Sequence, residues 1–429
     1  MLKSRVLVIG DSIRLVQKAQ AAGVDVVYAQ KPSQFDPAVL PWCDQLLLVN
    51  YQHVPTIVGL IRALHEVSPI SRIVTQTEAA QLVAGHLNDL LGLPGNSART
   101  TRLLHDKAAM RAVLNERGIG IVPYVTNPDL EQLREFVTAN GAAVIKPTKG
   151  SGSLGVHRVG SSDEVDAAWA WCTEFGVGDF LAEKLLVGPE LSVEAFSEEG
   201  RHTILAVTAK ETDGAMLEIG HVVPAPFAED ELAAVRALTV ELLDAVGLQD
   251  GPTHTEIILT SDGPYVVESH TRRGGDRIND LVRMVYGVDI EEATYCLAGV
   301  PAPLHGLHPA KGAAAIRFLT AKPGTVTEVV GLAEASSSEG VVEAKVTVAP
   351  GGVVSELLWS EDRCGHIIVQ AGDAASAVRL AHEAADRVVI STEPLAGPPQ
   401  RPATLDGLLK AVDEVLDPSS TTARGTSEV

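Results

Sequence analysis

The chain has 429 residues, 55 of them acidic against 34 basic, for a formal net charge of −21. That length supports two to four domains of about 100 to 200 residues, each with its own core. The charge argues against a nucleic-acid partner or an anionic membrane surface, both of which recruit basic patches, but it leaves room for a nucleotide bound by a few local cations.

The opening "RVLVIGD" is a short apolar run that ends in Gly-Asp and lacks a small-residue cleavage site, so it is expected to be a first strand rather than a signal peptide. The stretches "SIRLVQKAQAAG", "VDVVYA", "DQLLLVN" and "SRIVTQ" continue it as alternating helix and buried strand, which predicts a parallel α/β domain over about residues 1–100. "GDSIRL" is not Gly-x-Gly-x-x-Gly, so that domain carries no dinucleotide fingerprint and is expected to serve as scaffold and as part of a substrate wall. No stretch reaches about 18 uninterrupted apolar residues, the length of a membrane span.

From about residue 101 the pattern changes. "DKAAMRAVLNERGI" is an amphipathic helix opened by Asp106, and an α+β region with strands "AAVIKP", "GVHRV", "FLAEKLL", "ELSVEAFS" and "HTILAVTAK" runs to about 308. Residues 309–397 form a smaller α+β unit with strands "GAAAIRFL", "VVEAKVTV" and "HIIVQA" and a helix "DAASAVRLAHEAADRV". The tail, 398–429, is rich in Pro, Ser and Thr, and its last dozen residues are expected to be disordered. Cys43, Cys172, Cys296 and Cys364 are widely spaced and form no Cys-x-x-Cys, so neither a zinc site nor a disulfide framework is indicated, and a reducing cytoplasm fits.

Two stretches carry chemistry. In "HTEIILTSDGPYVVESHTRRGGD", residues 254–260 and 264–270 form a hairpin around a three-residue loop, Ser261-Asp262-Gly263, with Gly263 left-handed. That register sets Glu256 opposite Glu268, with Ile258 and Val266 on their face and Ile257, Leu259, Tyr265 and Val267 on the other. Opposed like charges destabilise a sheet unless a cation lies between them, so a metal pair competes with an edge-strand accident. In "AAVIKPTKGSGSLGVHRV", a buried strand ends at Lys146, and a loop then carries Lys149, Gly150, Ser151, Gly152 and Ser153. Glycine amides flanked by two lysines suit a polyphosphate, although an ordinary flexible hairpin has the same composition and no Walker A pattern is present. Together the stretches supply the parts for holding ATP with Mg²⁺, which favours one or two carboxylates plus substrate phosphates. Arg272, four residues past Glu268, is then placed to reach the transferred phosphoryl group, with Arg273 and Arg277 as further helpers.

As a set, "DKAAMR", "VIKPTKGSGSLGV", "AEKLLVGPELSVE", "EIGHVVPAPF" and "HTEIILTSDGPYVVESHTRRGGDRI" resemble the ATP-grasp superfamily, and within it the carboxylate–amine ligases of the bacilysin-synthetase type. The resemblance implies an ATP-grasp fold with a Rossmann-like pre-domain, a glycine-rich lid over about 145–190 and a small C-terminal α+β domain. It implies that Lys107 and Lys146 contact the nucleotide, that Glu183, Lys184, Leu185 and Leu186 form the hinge meeting adenine, and that Glu190 binds ribose. Glu256 and Glu268 fall at metal-ligand positions, and Arg272 at the arginine that steadies an acyl phosphate. His221 falls in a substrate-pocket loop, and Arg273, Gly274 and Gly275 lie on the substrate side. His270 stands where the superfamily usually has Asn, and imidazole suits Mn²⁺ or zinc better than Mg²⁺, so either the second ion is held differently, by the glutamates and phosphates with His270 as a water-mediated or Mn²⁺ contact, or His270 binds substrate instead. Lys210 and Glu218, like any lone charged residue, are more often structural, and Glu194 reads with Glu190 as a solvated stripe on one strand face.

The implied reaction joins a small-molecule carboxylic acid to an amine through an acyl phosphate, releasing ADP and phosphate, in a monomer or homodimer. The resemblance of residues 311–397 to the C-terminal domain of biotin carboxylase keeps open a carboxylating or purine-pathway enzyme that activates bicarbonate or formate. A non-catalytic ATP-binding protein is the third reading.

Overall fold

The computed structural model describes residues 4–10, 12–150, 155–176, 178–213, 217–297 and 310–395. Strands Arg5–Ile9, Asp25–Gln30, Gln45–Leu48 and Arg72–Val74 form a parallel sheet in which the first strand lies between the second and the fourth. Val6 and Val8 pack into one apolar cluster and Leu7 and Ile9 into another, because both faces of the sheet are covered. A strand buried on both sides has no need to alternate, which is why "RVLVI" is apolar throughout.

The second body is an antiparallel sheet of Tyr124–Thr126, Phe180–Lys184, Ala143–Pro147 and His157–Val159, in that spatial order. Helices Leu130–Asn140 and Val165–Phe175 close its outer face over Leu133, Val137, Ile145 and Val159. Trp169 and Trp171 pack against this core, as their helix position predicts. This sheet, called the lid sheet below, begins at Tyr124, about twenty residues ahead of the stretch over which the sequence leads one to expect a lid.

The third element is an eight-stranded antiparallel sheet. Its spatial order is Gly263–His270, Gly251–Thr260, Glu190–Glu198, Arg201–Thr212, Glu218–Val223, Ala313–Leu319, Gly365–Ala371 and Val341–Val346. The last three strands come from the region expected to be a separate C-terminal unit. Gly220 to Val223 pair with Arg317 to Ala314, so the sheet continues unbroken across that boundary. A three-stranded sheet and helix Ala374–Ala385 complete the C-terminal region, and Ala377, Ala381 and Ala384 are buried against Val222, Ala315 and Val369.

The hairpin departs from its expected register in one informative way. His254, Thr255 and Glu256 oppose His270, Ser269 and Glu268, as predicted, but beyond a bulge Ile257 opposes Val266 and Thr260 opposes Gly263. The loop is therefore the two residues Ser261 and Asp262, with Gly263 at φ 117° closing the strand pair. The extra residue, Val267, reverses the facing of the strand beyond it. Val266 joins Ile257 and Leu259 in the core, and Val267 joins Glu256, Ile258 and Glu268 on the cavity side. The bulge lets an apolar core and a polar site be served by one hairpin.

Among the described residues no helix is long and apolar enough to cross a membrane. Cys43, Cys172 and Cys364 are free thiols. The proline-rich tail and the side chain of Cys296 lie outside the described residues.

The strand exit at Leu185–Pro189 presses on the long sheet: Pro189 O accepts a 3.0 Å hydrogen bond from Leu259 N, and a Cβ on Gly188 would sit 2.0 Å from Leu259 O. Gly188→Ala must push the lid's exit segment off the sheet. The expected loss of stability is about 1 to 3 kcal/mol, as for other overpacked sites, read from the midpoint of urea unfolding.

Candidate functional site

A cavity of about 330 Å³ lies between the lid sheet and the long sheet. The lid side supplies Lys146, Lys149, Gly150, Arg158 and the run Glu183 to Pro189, and the long sheet supplies Glu190, Lys210, Thr212, Glu256, Ile258, Val267 and Glu268. Lys107 joins them from the first turn of helix Lys107–Glu116, whose N-cap Asp106 accepts from the amides of Ala108 and Ala109. The sequence-predicted nucleotide residues Lys107, Lys146, Lys149, Gly150, Glu183, Lys184, Leu185, Leu186 and Glu190 thus share one cavity with both glutamates. Ser151, Gly152 and Ser153 lie outside the described residues.

Because directly opposed residues of an antiparallel pair point to the same face, Glu256 and Glu268 both look into this space. Each is balanced by an ammonium. Lys107 Nζ lies 2.7 Å from Glu268 Oε2 and donates a 2.6 Å hydrogen bond to Gly150 O, so one lysine ties the carboxylate to the start of the glycine-rich loop. Lys210 Nζ lies 2.8 Å from Glu256, 2.8 Å from Glu190 and 3.1 Å from Glu218. Carboxylate oxygens of those three glutamates come within 4.8 Å of one another, a grouping that can hold a cation, and here the cation is the lysine itself. Burial disfavours charge on all these groups, yet the ion pairs win. Glu256 is held down to about 2 and Glu268 well below the ordinary carboxylate range, while Lys210 is pushed well above its ordinary value. Glu190 goes the other way: burial, reinforced by Glu256 and Glu218, outweighs Lys210 and raises it. Lys210 and Glu218, which spacing alone leaves as structural, are thus part of the central ion cluster.

Lys146 is held in turn. Its Nζ lies 2.5 Å from Glu183 Oε2, and Arg111 Nε reaches Glu183 Oε1 at 2.6 Å. Arg111 is fully buried and also donates to Val266 O on the hairpin. One guanidinium thus joins lid strand and hairpin, a role visible in the sequence only as the last letter of "DKAAMR". The Glu183 side chain is committed to these cations, and the amides of Lys184 and Leu185 are bonded to the carbonyls of Pro123 and Ala142.

Beyond Glu268 the polar surface continues toward the first domain. His270 Nε2 is 3.1 Å from Glu268, and its Nδ1 lies 3.1 Å from Glu78 Oε2 without hydrogen-bond alignment. An imidazole between two carboxylates favours its protonated form, and despite burial the two acids raise its pKa. It is not among the residues that line the cavity. Arg272 Nε pairs with the same Glu78 at 2.8 Å, and His105 adds a contact at 3.1 Å. Glu78, at the start of helix Glu78–Leu91, does not stand out in the sequence, since a lone acidic residue at a helix N-terminus is the ordinary pattern. It is the point where the α/β domain, expected to supply a wall, touches the site.

The remaining expected substrate residues divide. His221, facing Lys210 across the strand pair, lies 2.9 Å from Asp276, and Asp276 is gripped by Arg363 of the C-terminal region. Arg363 stacks over Phe318 at 3.6 Å. Arg273 pairs with Glu291 at 2.6 Å, and Arg277 is bidentate to Glu343 at 2.8 Å, so both arginines anchor the loop. Gly274 packs under the site, where a Cβ would come within 2.9 Å of His254 Nδ1. Gly275 has open space where a Cβ would be. Glu194 is the clearest departure from expectation: no solvated stripe, it is fully buried and paired with His254 at 2.8 Å.

The ATP-grasp N-terminal domain family matches residues 16–95, the ATP-grasp domain family residues 140–280, and the L-amino acid ligase C-terminal domain 2 family residues 317–393. An L-arginine-specific L-amino acid ligase of Bacillus subtilis is 24% identical over 338 residues, covering 76% of this chain and 81% of that one. A D-alanine–D-alanine ligase of Streptomyces griseus is 30% identical over 236 residues, covering 48% and 59%. The crystal structure of an L-amino acid ligase from Bacillus licheniformis superposes with a TM-score of 0.77 at 20% identity over 91% of this chain and 99% of that one, and a phosphoribosylglycinamide synthetase from Anaerococcus prevotii gives 0.70 at 16%.

His254, between Glu194 and Glu256, is raised from 6.5 to about 9 although burial opposes its charge. A histidine whose folded-state pKa exceeds its unfolded value stabilises fully below 6.5, and that stabilisation is lost as pH climbs through about 9. The melting temperature is therefore expected to fall by several degrees between pH 7 and pH 9.5, and to fall less in a His254→Gln/Glu194→Gln variant, which leaves no lone buried charge; calorimetry across that range checks it.

Proposed function

We propose that this chain, which belongs to the ATP-grasp superfamily and carries the C-terminal domain of the L-amino acid ligases, is an ATP-dependent carboxylate–amine ligase acting on amino acids or related small acids. The observation that carries the proposal is the single cavity in which Lys107 and Lys146 meet the paired Glu256 and Glu268, with Arg272 one step beyond.

A divalent ion fits the residues present. Glu256 and Glu268 offer hard oxygen donors to the cavity, and each already neutralises an ammonium, so the site is built around positive charge. Mg²⁺ is the ion these donors suit, and when bound it would draw negative charge from the phosphates. His270, flanked by two acids, is better placed to orient Glu268 and Glu78 than to ligate.

In the reaction, a carboxylate oxygen of the acid attacks the γ-phosphorus of ATP, and the bond from that phosphorus to the bridging oxygen breaks to release ADP. The amine nitrogen of the second substrate then attacks the acyl carbon. The carbon–oxygen bond to phosphate breaks, phosphate leaves, and the nitrogen loses a proton to give the amide. Lys146, fixed by Glu183 and Arg111, and Lys107, at the mouth of the glycine loop, set positive charge where the triphosphate lies. Arg272, steered by Glu78, is positioned for the oxyanion of the second step. Closure of the lid onto the long sheet excludes water, which would otherwise hydrolyse the acyl phosphate. Small-molecule acid and amine substrates in the cytosol, where ATP is available, complete the proposal.

Glu268→Gln is expected to abolish ADP formation with the melting transition retained; wild-type turnover by that variant would remove the metal assignment. Arg272→Ala is expected to lower kcat for amide formation by about 100-fold while the affinity for ATP changes little, the pattern of a group acting on the transition state. Phosphate release across a matrix of amino acids, with the product mass measured, tests the reaction class. Release that needs bicarbonate, or AMP in place of ADP, would replace it.

A further inference from the structure

Glu256 does not stand alone behind the cavity. His254, two residues earlier on the same strand face, has Nε2 3.3 Å from Glu256 Oε1 and Nδ1 2.8 Å from Glu194 Oε1. Glu194 is fully buried on the neighbouring strand, where Ser192 Oγ donates a further 3.0 Å bond to the same oxygen. Both neighbours of the ring are carboxylates, so each ring nitrogen is held against an acceptor oxygen. Gly274 seals the far side: a Cβ there would lie 2.9 Å from His254 Nδ1 and 3.0 Å from Glu194 Oε2. The ring therefore cannot turn away without displacing the loop that bears Arg272.

The contrast with Lys210 identifies what this arrangement does. Lys210 meets the same oxygen of Glu256 but divides itself among three glutamates on a flexible stem. His254 is committed instead to one further partner, because its second nitrogen is bound to a single fully buried acid.

We propose that Glu194 and His254 form a positioning pair that holds Glu256 by Oε1 and presents its other oxygen to the nucleotide-bound metal. The proposal rests on the assignment of Glu256 and Glu268 as metal ligands. Residues that orient metal ligands in this way change metal affinity by about 10- to 100-fold when removed.

The test measures Mn²⁺ binding by electron paramagnetic resonance in the presence of ADP, and ADP binding without metal by calorimetry. Wild type is compared with His254→Gln, with the double variant His254→Gln/Glu194→Gln, and with Glu268→Gln as a ligand control. The double variant leaves no lone buried charge, so it is suited to fold where the single variant is not. At least a tenfold weaker Mn²⁺ affinity in a positioning variant, with metal-free ADP affinity within twofold of wild type and a KM for the metal nucleotide that rises more than kcat falls, is the expected result. Mn²⁺ affinity within twofold of wild type while Glu268→Gln loses the ion would overturn the positioning role and leave the ligand assignment standing. An unchanged affinity in Glu268→Gln would overturn the ligand assignment and the proposal with it. Loss of the native melting transition, or of metal-free ADP binding, in both positioning variants would place the pair among the groups that merely hold the sheet, and would also overturn it.

Discussion

Two acidic side chains face each other across neighbouring strands of a buried sheet, and the rest of the site is shaped by the need to neutralise them. Glu256 and Glu268 sit in surroundings that penalise charge, and each is held ionised by a lysine, from the long sheet in one case and from a helix start in the other, with a histidine, His254 or His270, beside it. The lysines are in turn tied to further acids and to the glycine-rich loop. Removing one partner of such a buried set leaves an uncompensated charge, which is why the groups act as a unit. On the proposed function, a nucleotide with its metal would enter this balance by exchange, bringing both signs of charge to residues that already hold both.

A second set of ion pairs joins the bodies around the cavity. Arg111 and Glu183 connect hairpin and lid, Glu78 connects the first domain to Arg272 and His270, and Arg363 and Glu343 connect the C-terminal region to Asp276 and Arg277. The loop from Thr271 to Arg277 is gripped from three directions. Asp276 and Arg277 both hold positive φ, at 52° and 64°, a conformation L residues accept only when their surroundings impose it. On the proposed function, a loop held this firmly would keep Arg272 in place beside an unstable acyl phosphate.

Much of this is legible in the chain. The strand runs, the capped helix at Asp106, the glycine-rich loop behind Lys146 and the opposition of Glu256 to Glu268 all come from local patterns, which period and turn chemistry record directly. The bulge at Val267 is not legible, because two valines in a row look the same whichever of them faces the core. It changes the loop from three residues to two without disturbing the glutamates, since their register is set on the far side of the bulge. Glu194 reads as part of a solvated stripe because alternation shows which residues share a face, not which face is covered. Glu78, Arg111 and Arg363 escape a reading of the sequence for a common reason: each acts on a residue more than seventy positions away, and nothing near them in the chain says so.

The unbroken eight-stranded sheet divides the chain differently from its domain names. Hydrogen bonds pass from the hairpin that holds the carboxylates to the strands of the C-terminal region without a gap, whereas among the described residues neither the lid sheet nor the parallel sheet of the first domain shares a strand pairing with them. The seam between the lid sheet and the long sheet is where the nucleotide would lie. Parting them there would break no rung of either ladder, only the bonds that cross the seam from Arg111, Lys146 and Leu259.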